Sequence, residues 1–314
     1  MTTSGSTDFR STENNIIEDA LRSLNVIRGD EALDASDYSY CHRMLNRMIK
    51  HWQAQDFYLW TKSTATIFLQ AGQAEYLLNA TSSDHATLSY TATSLDADYA
   101  LGVSQISFND NVNVNVGDYI GIVLDANTLY WDTIANIVDL NTVDLTGSLP
   151  SAASKDNAVY IYTTKLVQPF NVYSAVRQSE DDLDVPMFYL SYEDYFQLPN
   201  KTIEATPINY NYDRQLNTGR IVIWPVPIDV KYRMKITISK KIEDFDSVAN
   251  TPDWPQEWEQ ALVSNLAIRV APAYGKANDR NFQLLQLQAN DDLKLASSFD
   301  SEQGSLYLQP DFYR

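Results

Sequence analysis

From about residue 80 to residue 166 the apolar side chains return at every second position, and this rhythm most strongly limits how the chain folds. Val112, Val114 and Val116 alternate with asparagines, Gly117 and Asp118 offer a turn, and Ile120, Ile122 and Leu124 resume the alternation. Residues 129–137, 142–145 and 158–162 continue as short strands, separated by turn-forming stretches at 125–127, 147–148 and 154–157. Strands this closely spaced predict a small barrel or sandwich. The block is rich in aspartate and has only Lys155 and Lys165 against it, so it carries much of the negative charge.

Outside this block the spacing is mostly helical. Ile16, Ile17, Ala20, Leu21 and Leu24 recur every three to four residues, and Gly29 offers a stop. Ser36 is placed to cap a second helix with Cys41, Met44, Leu45, Met48, Ile49 and Trp52 on its apolar line, giving an antiparallel pair. A short strand is expected near 66–69, with a turn at Ala71 and Gly72. Residues 208–212, 220–224 and 230–239 predict a three-stranded meander. Pro255 suits the first turn of a third helix bearing Trp258, Ala261, Leu262, Leu266 and Val270, which Pro272 ends or kinks. Asn278 is placed to cap a fourth, with Phe282, Leu285, Ala289, Leu293 and Ala296 inward. The expected class is α+β. Residues 1–79 and 167–299 form a discontinuous, mainly helical core with a small antiparallel β meander. Residues 80–166 are an inserted β-barrel or sandwich domain, and 300–314 an extended C-terminal tail.

The charge balance excludes some partners. With a net charge of -18, broad attraction to nucleic acid or an anionic membrane is disfavoured, whereas a surface that DNA slides past without sticking is well served. The most apolar run, 261–273, is interrupted by Asn265 and Arg269 and is too short to span a bilayer. The opening residues lack a basic stretch followed by an apolar one, so the chain reads as a soluble protein without a secretory signal. Cys41 is the single cysteine, which rules out an internal disulfide and a cysteine-rich zinc site. The 20 tyrosines favour broad, partly polar contacts with other proteins.

Catalytic patterns are weak. The histidines are His42, His51 and His85, with no zinc-hydrolase motif, and neither a serine triad nor a Cys–His pair is supported. His42 and His51 read as part of a solvated helix face beside Arg43, Arg47 and Lys50. Glu257 and Glu259 read as acids in a helix's first turn, pointing to different sides. The turn at 109–111 has calcium-ligand types, but Asp and Asn are also the usual turn formers. No metal and no cofactor is expected, and the chain is read as a non-enzyme. A two-carboxylate wall hydrolase is the runner-up and a carbohydrate-binding role for 80–166 the third reading.

Three groups point to assembly instead. Arg43, Arg47 and Lys50 share a helix face, and Lys231, Arg233 and Lys235 share a strand face. Both stripes are subunit-interface candidates, with solvated faces as the alternative. The third group is Leu306, Tyr307, Leu308, Phe312 and Tyr313, an apolar set that a solvated tail rarely carries. It either folds back on its own subunit or docks into a partner.

With these segments in place, the chain resembles the tail accessory factor, or head-to-tail adaptor, family of short-tailed bacteriophages. The matching stretches are IIEDALRSLNVI at 16–27, EALDASD at 31–37, MLNRMIKHW at 44–52, FLQAGQAEY at 68–76, IVIWPVP at 221–227, WPQEW at 254–258 and LAIRVAPAYG at 266–275. The resemblance implies a helical adaptor core and a homo-oligomeric ring of twelve copies beneath the portal. It further implies that the C-terminal segment reaches the portal, that the lower face receives tail tube, nozzle or needle proteins, and that genomic DNA crosses the lumen without sequence-specific binding. The expected location is the head–tail junction of the virion, after synthesis in the host bacterial cytoplasm, with no membrane contact. The β block at 80–166 is absent from compact members of that family, which leaves its role open between the outside of the ring and the tail fibres.

Overall fold

A computed structural model describes residues 5–7, 9–29, 31–55 and 59–300. The chain divides into two compact units, one made of residues 1–61 and 241–314, the other of 62–240. The sequence-based boundaries at 79/80 and 166/167 therefore lie inside the second unit.

The first unit is helical. Helix Glu13–Ser23 starts at Thr12, whose hydroxyl accepts from the Asn15 amide, and buries Ile16, Ile17, Ala20 and Leu21. Helix Ala35–Gln53 starts after Asp34; Ser36, expected as its cap, instead donates to the Asp34 carboxylate at 2.6 Å. Its apolar line, Cys41, Leu45, Met48, Ile49 and Trp52, joins the same core. A turn at Gln256–Trp258 runs into helix Glu259–Val270, which adds Ala261, Leu262 and Leu266. Trp52, Trp254 and Trp258 meet there, with ring centroids 5.0–6.0 Å apart. Each such fully buried large side chain contributes about 1.5–3 kcal/mol. Helix Phe282–Phe299 starts at Asn281; Asn278, expected as the cap, lies in the preceding turn Lys276–Asn278.

The second unit is β, and it overturns the expected class. The protein is mostly sheet, with only about 26% helix. An eight-stranded sheet runs edge to edge through Glu75–Leu78, Gly219–Trp224, Asn209–Arg214, Asp184–Tyr189, Asn171–Gln178, Arg233–Ser239, Lys62–Phe68 and Ala86–Thr87. All neighbours are antiparallel except Asp184–Tyr189 with Asn209–Arg214. The three-stranded meander is corrected with it: Arg233–Ser239 leaves the other two strands and pairs with Lys62–Phe68 and Asn171–Gln178. The helical core was expected because the strands at 171–178 and 184–189 do not alternate. Their burial is irregular, so no two-residue rhythm marks them.

The six-stranded sheet lies within residues 91–162, in the order Thr91–Ser94, Ala158–Tyr162, Tyr119–Leu124, Thr128–Ile137, Thr142–Leu145 and Gln105–Ser107. Its outer strands meet again in a Leu95–Phe108 bridge, which curls the sheet toward a barrel around Ile106, Ile120, Ile122, Ile134 and Val159. The alternation at 112–116 forms no ladder: Val112 and Val114 turn inward but Val116 is exposed. Two side-chain amides splice this barrel to the larger sheet. The Gln70 amide donates to Leu129 O at 2.6 Å and accepts from Leu129 N at 3.1 Å, as a peptide group does. Asn127 does the same with Ile228 O and Val230 N, at 3.1 and 3.3 Å. These bonds satisfy backbone groups where the two sheets meet.

Candidate functional site

The histidines and the cysteine are placed by packing. In the helical unit the Glu13 carboxyl group is fully buried, accepts from the Tyr38 hydroxyl at 2.7 Å and lies 2.6 Å from His42 Nδ1. Burial, and then the Glu13 hydrogen bond, raises the pKa of Tyr38. Cys41 is buried with Sγ 3.8 Å from the Tyr274 hydroxyl, and burial pushes its thiol up, away from the reactive thiolate. His51 is exposed. Glu259 is not a solvated first-turn acid: it is buried and takes two hydrogen bonds from Ser11, at 2.9 and 2.8 Å. It holds the N-terminal segment to the helix that follows it. No group of three or more metal-ligating side chains gathers among the described residues.

In the β unit, rings gather where the two sheets meet. Phe68 touches Tyr90, Trp131 and Tyr160 at centroid distances of 5.0–5.2 Å. His85 lies flat on Trp131 at 3.9 Å and 1°, with Nδ1 2.6 Å from the Tyr162 hydroxyl. Desolvation, and secondarily Lys165, pushes the His85 pKa down to about 3, so the ring is neutral at ordinary pH. Gly121 faces Trp131 across the strand pair, and a Cβ there would come within 2.7 Å of the indole. A tryptophan covered by His85 and by the Gly121 backbone offers a poor platform for a sugar ring.

The basic stripes divide. Arg43 and Arg47 are exposed on their helix, Arg43 donating to Ser39 Oγ at 2.9 Å. Lys50 is held to its own subunit by Ile242 O at 2.6 Å and Asp244 at 2.7 Å. Lys231 is exposed, and Lys235 is half-buried at 3.7 Å from Asp184. Arg233 is buried: its guanidinium donates to the Tyr90 hydroxyl and Asp182 at 3.1 and 3.0 Å and lies over the Tyr160 ring. It is a structural cation of the inter-sheet cluster and unavailable to a partner. The tail residues Leu306, Tyr307, Leu308, Phe312 and Tyr313 lie outside the described residues.

Surfaces that the sequence reading passed over are apolar. On helix Phe282–Phe299, the inward residues Ala289 and Ala296 are buried, while Leu284, Leu287, Leu295 and Phe299 are 58%, 62%, 72% and 68% exposed. Helical spacing puts these four on a second face, away from the line through Phe282, Leu285, Ala289 and Leu293. In the β unit, Phe188, Tyr189, Tyr192 and Phe196 are each more than half exposed, around a helix at Tyr192–Gln197 that buries none of its residues. Counting apolar residues on both faces of the last helix, rather than on one, would have revealed the first of these surfaces.

No family model and no curated protein matches the chain. Among solved structures, VP17, a capsid protein of bacteriophage P23-77, is similar at 10% identity over 61% of this chain and 77% of that one, with a TM-score of 0.12. A TM-score that low does not define a shared fold.

Proposed function

We propose that this protein is a structural component of a bacteriophage particle, a head-to-tail adaptor that joins the portal to the tail and lines part of the DNA channel. The observation that carries the reading is spatial. Stretches that resemble the adaptor family are far apart in sequence, yet within each of the two units they pack against one another. Those at 16–27, 44–52, 254–258 and 266–275 supply Ile16, Leu45, Trp52, Trp254, Trp258 and Leu266 to one helical core. The stretches at 68–76 and 221–227 supply neighbouring strands, with Tyr76 opposite Ile221. Motifs that pack against one another within each unit are a more specific signature than the same motifs scattered over a surface.

Exposed apolar faces of the kind on the last helix suit a protein that works inside an assembly. The acidic balance suits a channel through which DNA moves without adhering. The portal above, tail proteins below and further copies of the chain to each side are the expected partners, with the apolar residues of 306–313 as the contact to the portal. Repeated around a ring, individually modest tail contacts become a durable joint. Mixing the purified chain with its portal and imaging by electron microscopy tests this. A ring of added density beneath the portal is expected, and deleting 306–314 should abolish it without unfolding the protein. A chain that leaves the portal bare refutes the adaptor reading.

A further inference from the structure

The segment at 111–116 packs Val112 and Val114 into the core of the six-stranded sheet. It is tied to the neighbouring hairpin at its two ends: Val112 N donates to Leu140 O at 3.3 Å, and Gly117 N to Ile134 O at 2.8 Å. These bonds set the segment antiparallel to residues 134–140. Between them the two stretches make no main-chain bond to each other among the described residues, and a cleft of about 590 Å³ opens there. Val112, Val114, Ile137 and Leu140 line it, with Asn113 and Asp139. Leu140 is 73% exposed and Val138, on the same hairpin, 49%. Among the described residues, the amides of Asn113 and Val114 meet no acceptor and their carbonyls no donor. Apolar space flanked by unused main-chain groups suits an extended peptide, because main-chain bonds hold it while a pocket reads a side chain.

Charge says which peptide. No lysine or arginine occurs between Lys62 and Lys155, so no cation of this stretch offsets its aspartates. Asp139 lines the cleft and Asp110 adjoins it in sequence, and both are exposed. A second copy of the chain is a poor match. Its own alternating run of bases and apolar residues, Arg233–Ser239, is already paired on both sides, with Lys62–Phe68 and Asn171–Gln178. Each copy also carries a net charge of -18.

We propose that this cleft docks an extended segment of a different protein, in which apolar side chains alternate with lysine or arginine and one apolar side chain enters beside Leu140. The inference goes beyond the adaptor reading, because it concerns the barrel alone and holds whether or not the chain meets a portal.

The test uses the full chain and a fluorescein-labelled probe, Lys-Val-Lys-Leu-Lys-Val-Lys, with Lys-Ser-Lys-Ser-Lys-Ser-Lys as a control of equal charge. Anisotropy is read at about 0.15 M salt, where long-range attraction is screened. The apolar probe should bind, and Leu140→Ser, at an exposed position, should weaken it about five-fold or more. Asp139→Asn keeps an acceptor for the Asn141 amide, 3.0 Å away, and removes only the charge. It should weaken the probe about two- to three-fold. Leu216→Ser, 91% exposed in a turn of the larger sheet, should leave binding unchanged. Equal binding of both probes, or no binding of the apolar probe at about 1 mM, overturns the proposal. So does equal binding by the Leu140→Ser and Leu216→Ser variants. Self-association of the unaltered chain in sedimentation that Leu140→Ser abolishes also overturns it, and assigns the cleft to a second copy. No portal is present, so failure here leaves the adaptor reading standing, and a bare portal in the imaging experiment leaves the peptide result intact.

Discussion

In the helical unit the Glu13 carboxyl group sits at zero exposure between the Tyr38 hydroxyl and the His42 ring, whereas in the β unit His85 is stacked on Trp131 among other rings. The two units bury a titratable side chain by different means. Glu13 has partners from the next helix, so its burial depends on hydrogen bonds that must all be present. His85 is held by ring packing and kept neutral by desolvation, so its burial depends on shape and on pH. The same type of perturbation should therefore have different consequences in the two places.

The largest expected effect is from Glu13→Ala, which leaves the Tyr38 hydroxyl and the His42 ring facing a hole. A loss of about 3 kcal/mol follows from removing one partner of a buried pair. Urea unfolding followed by the helical circular-dichroism signal measures it, and a change under 1 kcal/mol would remove the contrast with the β unit. Next is Gly121→Ala, which forces the Trp131 indole, and His85 stacked on it, out of place. Overpacking of this kind costs about 2 kcal/mol, read from the urea midpoint together with the near-ultraviolet signal of the aromatic cluster.

The third expectation concerns pH. The folded pKa of His85 is lowered from 6.5 to about 3, so the unfolded chain takes up a proton that the folded one refuses. Its contribution is complete above about pH 6.5 and declines as pH falls toward about 3. His85→Phe should flatten that decline by about 1–2 kcal/mol, allowing for partial solvent screening. Unfolding midpoints at pH 7 and pH 4 for both proteins decide it, and parallel slopes would show that His85 is not the sensor. The smallest effect belongs to the surface: Lys231→Glu should change stability by no more than about 0.5 kcal/mol. Arg233→Glu, in the same stripe but buried over Tyr160, should destabilise strongly in the same assay.

Much of the helical unit was legible from spacing. The residues on the first two apolar lines, and Trp258, Ala261, Leu262 and Leu266 on the third, are those found in its core. The caps were less legible, because Ser36 and Asn278 are good capping residues, yet Ser36 lies two positions inside the cap at Asp34 and Asn278 three positions before the cap at Asn281. In the β unit, strands Thr142–Leu145 and Ala158–Tyr162 fall where the alternation put them. The larger sheet was legible only in part: strands near 66–69, 208–212, 220–224 and 230–239 were expected, but those at 171–178 and 184–189, which are covered irregularly, were not. The stripe at 231–235 misled for a related reason. Periodicity places Arg233 on a face, but neighbouring strands and loops decide whether that face meets water or Tyr90 and Asp182.

The sequence by itself determined where the four longer helices form and which residues of each turn inward, because a helix closes its hydrogen bonds within a few residues and shows its burial as a local rhythm. Only the tertiary structure decided that Lys62–Phe68 pairs with Arg233–Ser239, that Arg233 and Glu259 are interior, and that the last helix keeps a second apolar face open. A strand's partner can come from anywhere along the chain, and the alternation within one strand carries no address for the other.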